Sequence, residues 1–206
     1  SSSVYSGHFL MQLFKEAGLP DGVINFVPGR GSMVGPNIIK DANLAGVHFT
    51  GSTAVFQSMW KEIGNNIDSY KTYPRIVGET GGKDFILAHE SIEPLELATA
   101  MIRGAFEYQG QKCSAASRCY IPTKIWEETK EILLTEMSTI KMGDVEDFTN
   151  FVNAVIDESA FDSISAYIDY AKESPDAEII HGGSYGKTKG YFIEPTLFSN
   201  ANSKMK

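Results

Sequence analysis

Two hydrophobic periods alternate along this chain, and that alternation constrains its fold more than any other feature. Residues 4–17 place Leu10, Leu13, Phe14 and Ala17 at helical spacing, with Ser3 positioned to cap the start and Gly18 and Pro20 marking the stop. This predicts a helix with one buried face. Residues 22–27 then read as a short strand, 33–39 as a brief helix and 46–49 as a second strand. Residues 55–67 follow as a helix, with apolar positions 55, 56, 59, 60, 63 and 67 suited to packing on a sheet. Parallel strands need crossover connections and helices are the usual ones, so this order predicts βαβ units around a parallel sheet.

A second rhythm starts with a strand at 74–77 that runs into Gly78-Glu79-Thr80-Gly81-Gly82-Lys83, where the pattern breaks. Residues 84–88 and 118–121 read as strands. Residues 94–108 read as a helix with Leu97, Met101, Ile102 and Ala105 inward, and 124–140 as a longer amphipathic helix. Phe161, Ile164, Ile168 and Ala171 mark another helix, followed by β-rich runs at 178–181 and 191–193 on either side of Gly182-Gly183. The expected division is near Glu79, giving domains 1–79 and 80–206 of an α/β chain.

Composition removes several function classes. With 206 residues and 42% hydrophobic content the chain can bury a real core, which excludes a disordered or collagen-like chain. Its formal charge is 18 − 26 = −8, and Lys and Arg are nowhere concentrated, so nucleic acid is not an expected partner. No apolar run approaches the roughly 20 residues of a membrane span, and the first residues lack the charged and apolar regions of a secretory signal. The expectation is a soluble intracellular protein without a membrane partner. Cys113 and Cys119 have no second Cys/His pair to complete a zinc site, so no metal is expected and thiol chemistry or burial must account for them.

Three small-residue loops bear on chemistry. Gly29-Arg30-Gly31-Ser32-Met33-Val34-Gly35 superficially resembles a dinucleotide fingerprint, but its third glycine comes one position late, which leaves a plain turn and cofactor contact both open. Thr50-Gly51-Ser52-Thr53 combines a glycine with hydroxyls at a helix start, where free N–H groups can hold a phosphate; an ordinary capping turn is the alternative. The third surrounds Glu79, whose neighbours Gly78, Thr80, Gly81 and Gly82 predict a carboxylate presented on a turn and poorly solvated.

Cys113 lies in the polar, small-residue stretch 109–117, unusual company for a structural cysteine. A free thiol titrates near about 8.5 and is only slightly ionised at neutral pH, but a neighbouring cation such as Lys112 and unpaired backbone N–H groups favour the anion. Cys113 is therefore the candidate nucleophile. Cys119 alternates into an apolar strand and reads as a small buried hydrophobe. His8, His48, His89 and His181 are scattered, so a Cys-His hydrolase has no positive support, although its partners need only meet in space. Partial burial raises a carboxylate into the range of a general base, and Glu79 is the best-placed carboxylate.

In this order, Phe49-Thr50-Gly51-Ser52-Thr53, Glu79-Thr80-Gly81-Gly82-Lys83, Gly110-Gln111-Lys112-Cys113 and Gly190-Tyr191-Phe192-Ile193-Glu194-Pro195-Thr196 resemble the motifs of the NAD-dependent aldehyde dehydrogenases. The spacing 113 − 79 = 34 is similar as well. Residues 73–85 and 106–115 look most like the branch of that family acting on 1-pyrroline-5-carboxylate, that is, on glutamate semialdehyde. The resemblance implies part of a Rossmann-like NAD-binding domain followed by part of an α/β catalytic domain of aldehyde dehydrogenase type.

It implies that Cys113 attacks a small-molecule aldehyde to give a thiohemiacetal and then a thioester, which water activated by Glu79 hydrolyses to glutamate in proline degradation. Gly51, Ser52, Thr53, Ala54 and Val55 would line the phosphate and ribose region of NAD. Lys112 and Ser114 flank the nucleophile, and a cation with a hydroxyl suits a substrate carrying its own carboxylate; for Lys112 the alternative is thiolate stabilisation alone. A related semialdehyde dehydrogenase and a non-catalytic module are the rival readings.

In the family, an amide partner for the oxyanion and a ribose-holding lysine lie upstream of such a stretch. A Phe-Gly-Pro segment and the loop gripping the substrate's α-carboxylate lie downstream. The chain thus looks like the middle of a larger, homo-oligomeric enzyme, expected to be poorly active alone. That enzyme is expected in the cytoplasm of a bacterium or the mitochondrial matrix of a eukaryote.

Overall fold

In the computed structural model, residues 3–201 and 204–205 are described; part of the polar tail 199–206 singled out in the sequence lies outside them. The chain divides into two compact units, Ser1–Gly81 and Gly82–Lys206.

The first unit begins with α1 (Val4–Glu16), where the sequence pattern puts it. Ser3 sits at the cap position, but its side chain makes no cap bond to the helix. No residue of α1 is buried. The expected buried face is absent; the ring of Phe26 lies on Gly7. Residues 22–27 are not a strand: they join no ladder, and Val23, Ile24 and Val27 stay exposed.

After α2 (Gly31–Ile39), β1 (Gly46–Gly51) pairs in parallel with β2 (Arg75–Thr80), and α3 (Thr53–Asn65) makes the crossover. The predicted 55–67 helix stops at Asn65, and Ile67 falls in a 3₁₀ turn at Ile67–Ser69. Ile39 and Ile63 are buried, and the Tyr70 hydroxyl donates to the Ile39 carbonyl at 2.6 Å. Phe56 of α3 presses on Gly78 of β2 so closely that any Cβ there would overlap its ring.

The second unit repeats the βαβ plan. Strands β3 (Asp84–Leu87) and β4 (Ala116–Tyr120) are parallel, and α4 (Pro94–Phe106) connects them. Helix α5 (Thr123–Ser138) packs on α4. Leu97, Ala98, Met101, Ile125, Leu133 and Met137 form the core between them, with Ile86 and Cys119 of the two strands packed against it. The buried Thr129 is satisfied within α5, its hydroxyl donating to the Ile125 carbonyl at 2.7 Å.

A second cluster joins Val155, Phe161, Ile168 and Ile193. Here α6 (Glu158–Glu173) starts at Asp157, whose carboxylate accepts from the Ala160 N–H at 2.8 Å. Strand β5 (Glu178–His181) pairs antiparallel with β8 (Leu197–Ser199), and β6 (Tyr185–Gly186) with β7 (Phe192–Ile193). Among the described residues no helix is long and apolar enough to cross a membrane.

Leu133, 1% exposed, and Leu95, 57% exposed, give a contrast within this unit. Leu133→Ala should cost about 2–5 kcal/mol through lost burial and a residual cavity, and Leu95→Ala about 0.5 kcal/mol or less. Urea unfolding followed by circular dichroism measures both.

Candidate active site

Residues 51–55 and Glu79 both lie at the C-terminal end of the first parallel pair. In the ladder Thr50 lies beside Glu79 and Gly51 beside Thr80. Alternation along the strands separates two faces. Val47, Phe49, Ile76 and Gly78 belong to the α3 face, where Phe49 stacks on Phe56 at 6.1 Å. His48, Thr50, Val77 and Glu79 belong to the other, and all four are exposed. Two expectations are thereby corrected. Glu79 is in a regular strand, not on a turn, and it is solvated, because no element of its own unit covers that face. Gly78 is there for the close approach of Phe56, not to break the strand.

Ser52 caps α3, its Oγ accepting from the Val55 N–H at 3.3 Å. The N–H groups of Thr53 and Ala54 stand in the first turn, with no carbonyl four residues earlier inside the helix, at the positive end of its dipole. A helix start directly after a parallel strand suits the anionic phosphates of a dinucleotide. Gly51 to Val55 therefore fit the group the sequence assigned to them. The looser glycine loop at 29–35 instead leads into α2, with Arg30 at its cap position.

Cys113 is reached through an unusual piece of backbone. Helix α4 ends at Phe106, and Tyr108, Gln109 and Gly110 then take φ values of 55°, 57° and 66°. Three successive left-handed residues reverse the chain. Only glycine fits at 110, where a Cβ would lie 2.7 Å from the Ala105 carbonyl oxygen. Tyr108 and Gln109 pay a steric cost of about 1–3 kcal/mol each. The 94–108 helix expected from the sequence is cut short by this reversal.

Polar contacts hold the strained segment. The Gln111 N–H donates to the Tyr108 carbonyl at 3.1 Å, and the Gln111 side-chain oxygen accepts from the Ile156 N–H at 2.9 Å. Gln109, with its amide set so that both ends are satisfied, accepts from the Asn153 N–H at 2.7 Å and donates to the Tyr108 carbonyl at 2.8 Å. Cys113 then sits exposed on a turn closed by the Ala115 N–H on the Lys112 carbonyl at 3.2 Å, just before β4. Ser114 is exposed beside it.

The Lys112 ammonium is engaged with Glu107 at 2.5 Å, and Arg103 reaches the same carboxylate at 2.7 Å. The hydrogen bond from Lys112, then its charge and that of Arg103, hold the Glu107 carboxyl below the usual carboxylate range. Glu107, Gln109 and Gln111 are the functional candidates that sequence reasoning passed over. Only the clustering of amides around Gly110 could have signalled them. Cys119 is half-buried in the α4–α5 core, and burial pushes its thiol up, offset in part by a backbone hydrogen bond with Ile86. In the second unit, His89 is engaged with Ser91 at 2.9 Å. The structure thus places Cys113 with Lys112 and Ser114 in one unit, and Glu79 with the Gly51 to Val55 segment in the other.

Comparison with known proteins sets these residues in a lineage. The sequence pattern of the aldehyde dehydrogenase family matches residues 1–206. The mitochondrial delta-1-pyrroline-5-carboxylate dehydrogenase of Dictyostelium discoideum is 50% identical over 199 residues, 96% of this chain and 36% of that protein. Its Danio rerio counterpart is 41% identical over 206 residues, 100% of this chain and 37% of that protein. The crystal structure of the Mycobacterium tuberculosis delta-pyrroline-5-carboxylate dehydrogenase bound with NAD superposes with a TM-score of 0.91 at 46% identity, covering 94% of this chain and 36% of that one. The chain spans little more than a third of the length of these relatives. With its whole length inside the family pattern and an α/β architecture shared at that level of identity, the chain belongs to the aldehyde dehydrogenase family.

Proposed function

We propose that this chain carries the nucleophile, the hydrolytic base and part of the cofactor cradle of an NAD-dependent enzyme that oxidises glutamate 5-semialdehyde to glutamate. The observation that carries the reading is an exposed Cys113 just after a tethered, left-handed turn, in a chain half identical to a delta-1-pyrroline-5-carboxylate dehydrogenase.

The Cys113 sulfur attacks the aldehyde carbon and forms a C–S bond, while the carbonyl oxygen takes up the negative charge and is met by the Cys113 backbone N–H. Bound NAD supplies the acceptor for the hydride that leaves the thiohemiacetal carbon. Gly51 to Val55 hold its phosphate and ribose region through the α3 start. Glu79 then removes a proton from water as the water oxygen attacks the thioester carbon; the C–S bond breaks and Cys113 leaves as thiolate with glutamate released.

Lys112 and Ser114 are assigned to the substrate's own carboxylate, for which Lys112 must exchange Glu107. The parent enzyme is a homo-oligomer, in the mitochondrial matrix of a eukaryote or the cytoplasm of a bacterium. The mitochondrial names of the Dictyostelium and Danio proteins support the first of these for a eukaryotic source.

In an enzyme of the relatives' full length containing this sequence, Cys113→Ala should lower kcat for 1-pyrroline-5-carboxylate oxidation by about 10³-fold or more. Glu79→Gln should lower it by about 10²–10⁴-fold while leaving a rapid first turnover of NADH, as hydrolysis stalls. Stopped-flow absorbance at the NADH band reads both, and the 206-residue chain alone should show little or no turnover.

Iodoacetamide should label Cys113 well ahead of the half-buried Cys119 at neutral pH, as counted by peptide mass spectrometry. Equal labelling would argue for a non-catalytic module.

The Glu107 pair sets a pH dependence. Its folded pKa is depressed, so the contribution of the pair is present above the unfolded glutamate value and is lost as pH falls through the folded one. A carboxyl-detected NMR titration should find Glu107 still ionised below the ordinary glutamate midpoint, and Lys112→Met should move that midpoint back up.

A further inference from the structure

The segment joining α4 to β4 is strained at Tyr108 and Gln109, yet it ends in an exposed turn whose chemistry depends on where one sulfur sits. An exposed loop of small residues does not hold a sulfur in place by packing. Its fixed points must be polar, and Gln111 supplies one that reaches 45 residues along the chain, to the Ile156 N–H.

The far end of that bond is a firm anchor. Val152 and Val155 are buried at 2% and 5% exposure, the Val155 N–H donates to the Tyr191 carbonyl at 2.8 Å, and the Asn153 side-chain amide donates to the Gly143 carbonyl at 3.0 Å. At the near end, Gln111 is two residues before Cys113, and its own N–H closes the left-handed turn on the Tyr108 carbonyl at 3.1 Å. Gln109, two residues earlier, makes the parallel link to Asn153.

We infer that Gln111 is a positioning residue: its side-chain oxygen ties the left-handed turn to the 153–156 segment and so sets where the Cys113 sulfur is presented. This rests on the reading of Cys113 as nucleophile. Gln111 touches neither substrate nor cofactor in this role. What it provides is an acceptor of fixed length, so the requirement is for an oxygen at that position and not for an amide as such.

The test uses the 206-residue chain with two substitutions. Gln111→Met keeps the length and removes the acceptor, and Gln111→Glu keeps the acceptor. Amide hydrogen exchange by NMR should speed up about tenfold at Ile156 in Gln111→Met and stay near wild type in Gln111→Glu. The iodoacetamide rate at Cys113 should fall several-fold in Gln111→Met while that of Cys119, in the core, is unchanged. Unaltered Ile156 exchange in Gln111→Met would overturn the tether. Faster exchange with a Cys113 rate within about twofold of wild type would show a tether that holds structure and positions nothing.

A wild-type Cys113 that reacts no faster than Cys119 would remove the nucleophile reading, and the positioning role with it, whatever Ile156 shows. If Gln111→Met does not fold, Gln109→Ala cuts the neighbouring link and is read at Asn153 in the same way.

Discussion

Two parallel strands cannot be joined by a tight turn, and that constraint shapes both units. Each must spend a helix to carry the chain back, α3 between β1 and β2 and α4 between β3 and β4. The crossover decides where reactive groups can stand. In the first unit it starts at the C-terminal end of β1, which puts a helix start and the Glu79 carboxylate at the same end of one ladder. In the second it returns to the beginning of β4, so the connection carrying Cys113 lies at the strand's entrance and takes its direction from the way α4 ends.

That connection combines strain with compensation of similar size. Two non-glycine residues in the left-handed region cost about 1–3 kcal/mol each. Against them stand the Gln109 and Gln111 side-chain bonds, worth about 0.5–1.5 kcal/mol net apiece, and the exposed charge-assisted contacts of Glu107, whose value salt reduces. No single contact dominates. The turn exists because several long-range partners agree on one geometry, and the carboxylate of Glu107 draws the Arg103 end of α4 and the Lys112 end of the turn together.

The sequence made the βαβ plan legible because that plan follows from alternating periods, which are local. The α4–α5 core was readable for the same reason: Leu97 and Met101, expected inward, are buried. What failed was information carried by partners distant in sequence. The β propensity of 22–27 says nothing about whether a neighbouring strand is available, and Phe26 settles on α1 instead. Gly78 reads as a turn signal, while its actual cause is an aromatic ring two elements away. Glu79 was recognisable as a candidate, yet its strand setting and solvation were not. Left-handed Tyr108 and Gln109 have no signature in residue type, and without that reversal nothing pairs Glu107 with Lys112, five positions on.

Surface loops ordinarily absorb insertions and deletions, and 107–115 has the outward marks of such a loop: polar, small-residue and exposed at its tip. Its residue count is nevertheless as constrained as the register of a strand. Three left-handed positions must fall on Tyr108, Gln109 and Gly110, and two amides must meet fixed backbone N–H groups. A one-residue deletion would move a β-carbon into the position that only Gly110 tolerates and carry the sulfur off its turn. Among homologous sequences, the length of this stretch is therefore a stricter marker of shared chemistry than the identity of most residues within it.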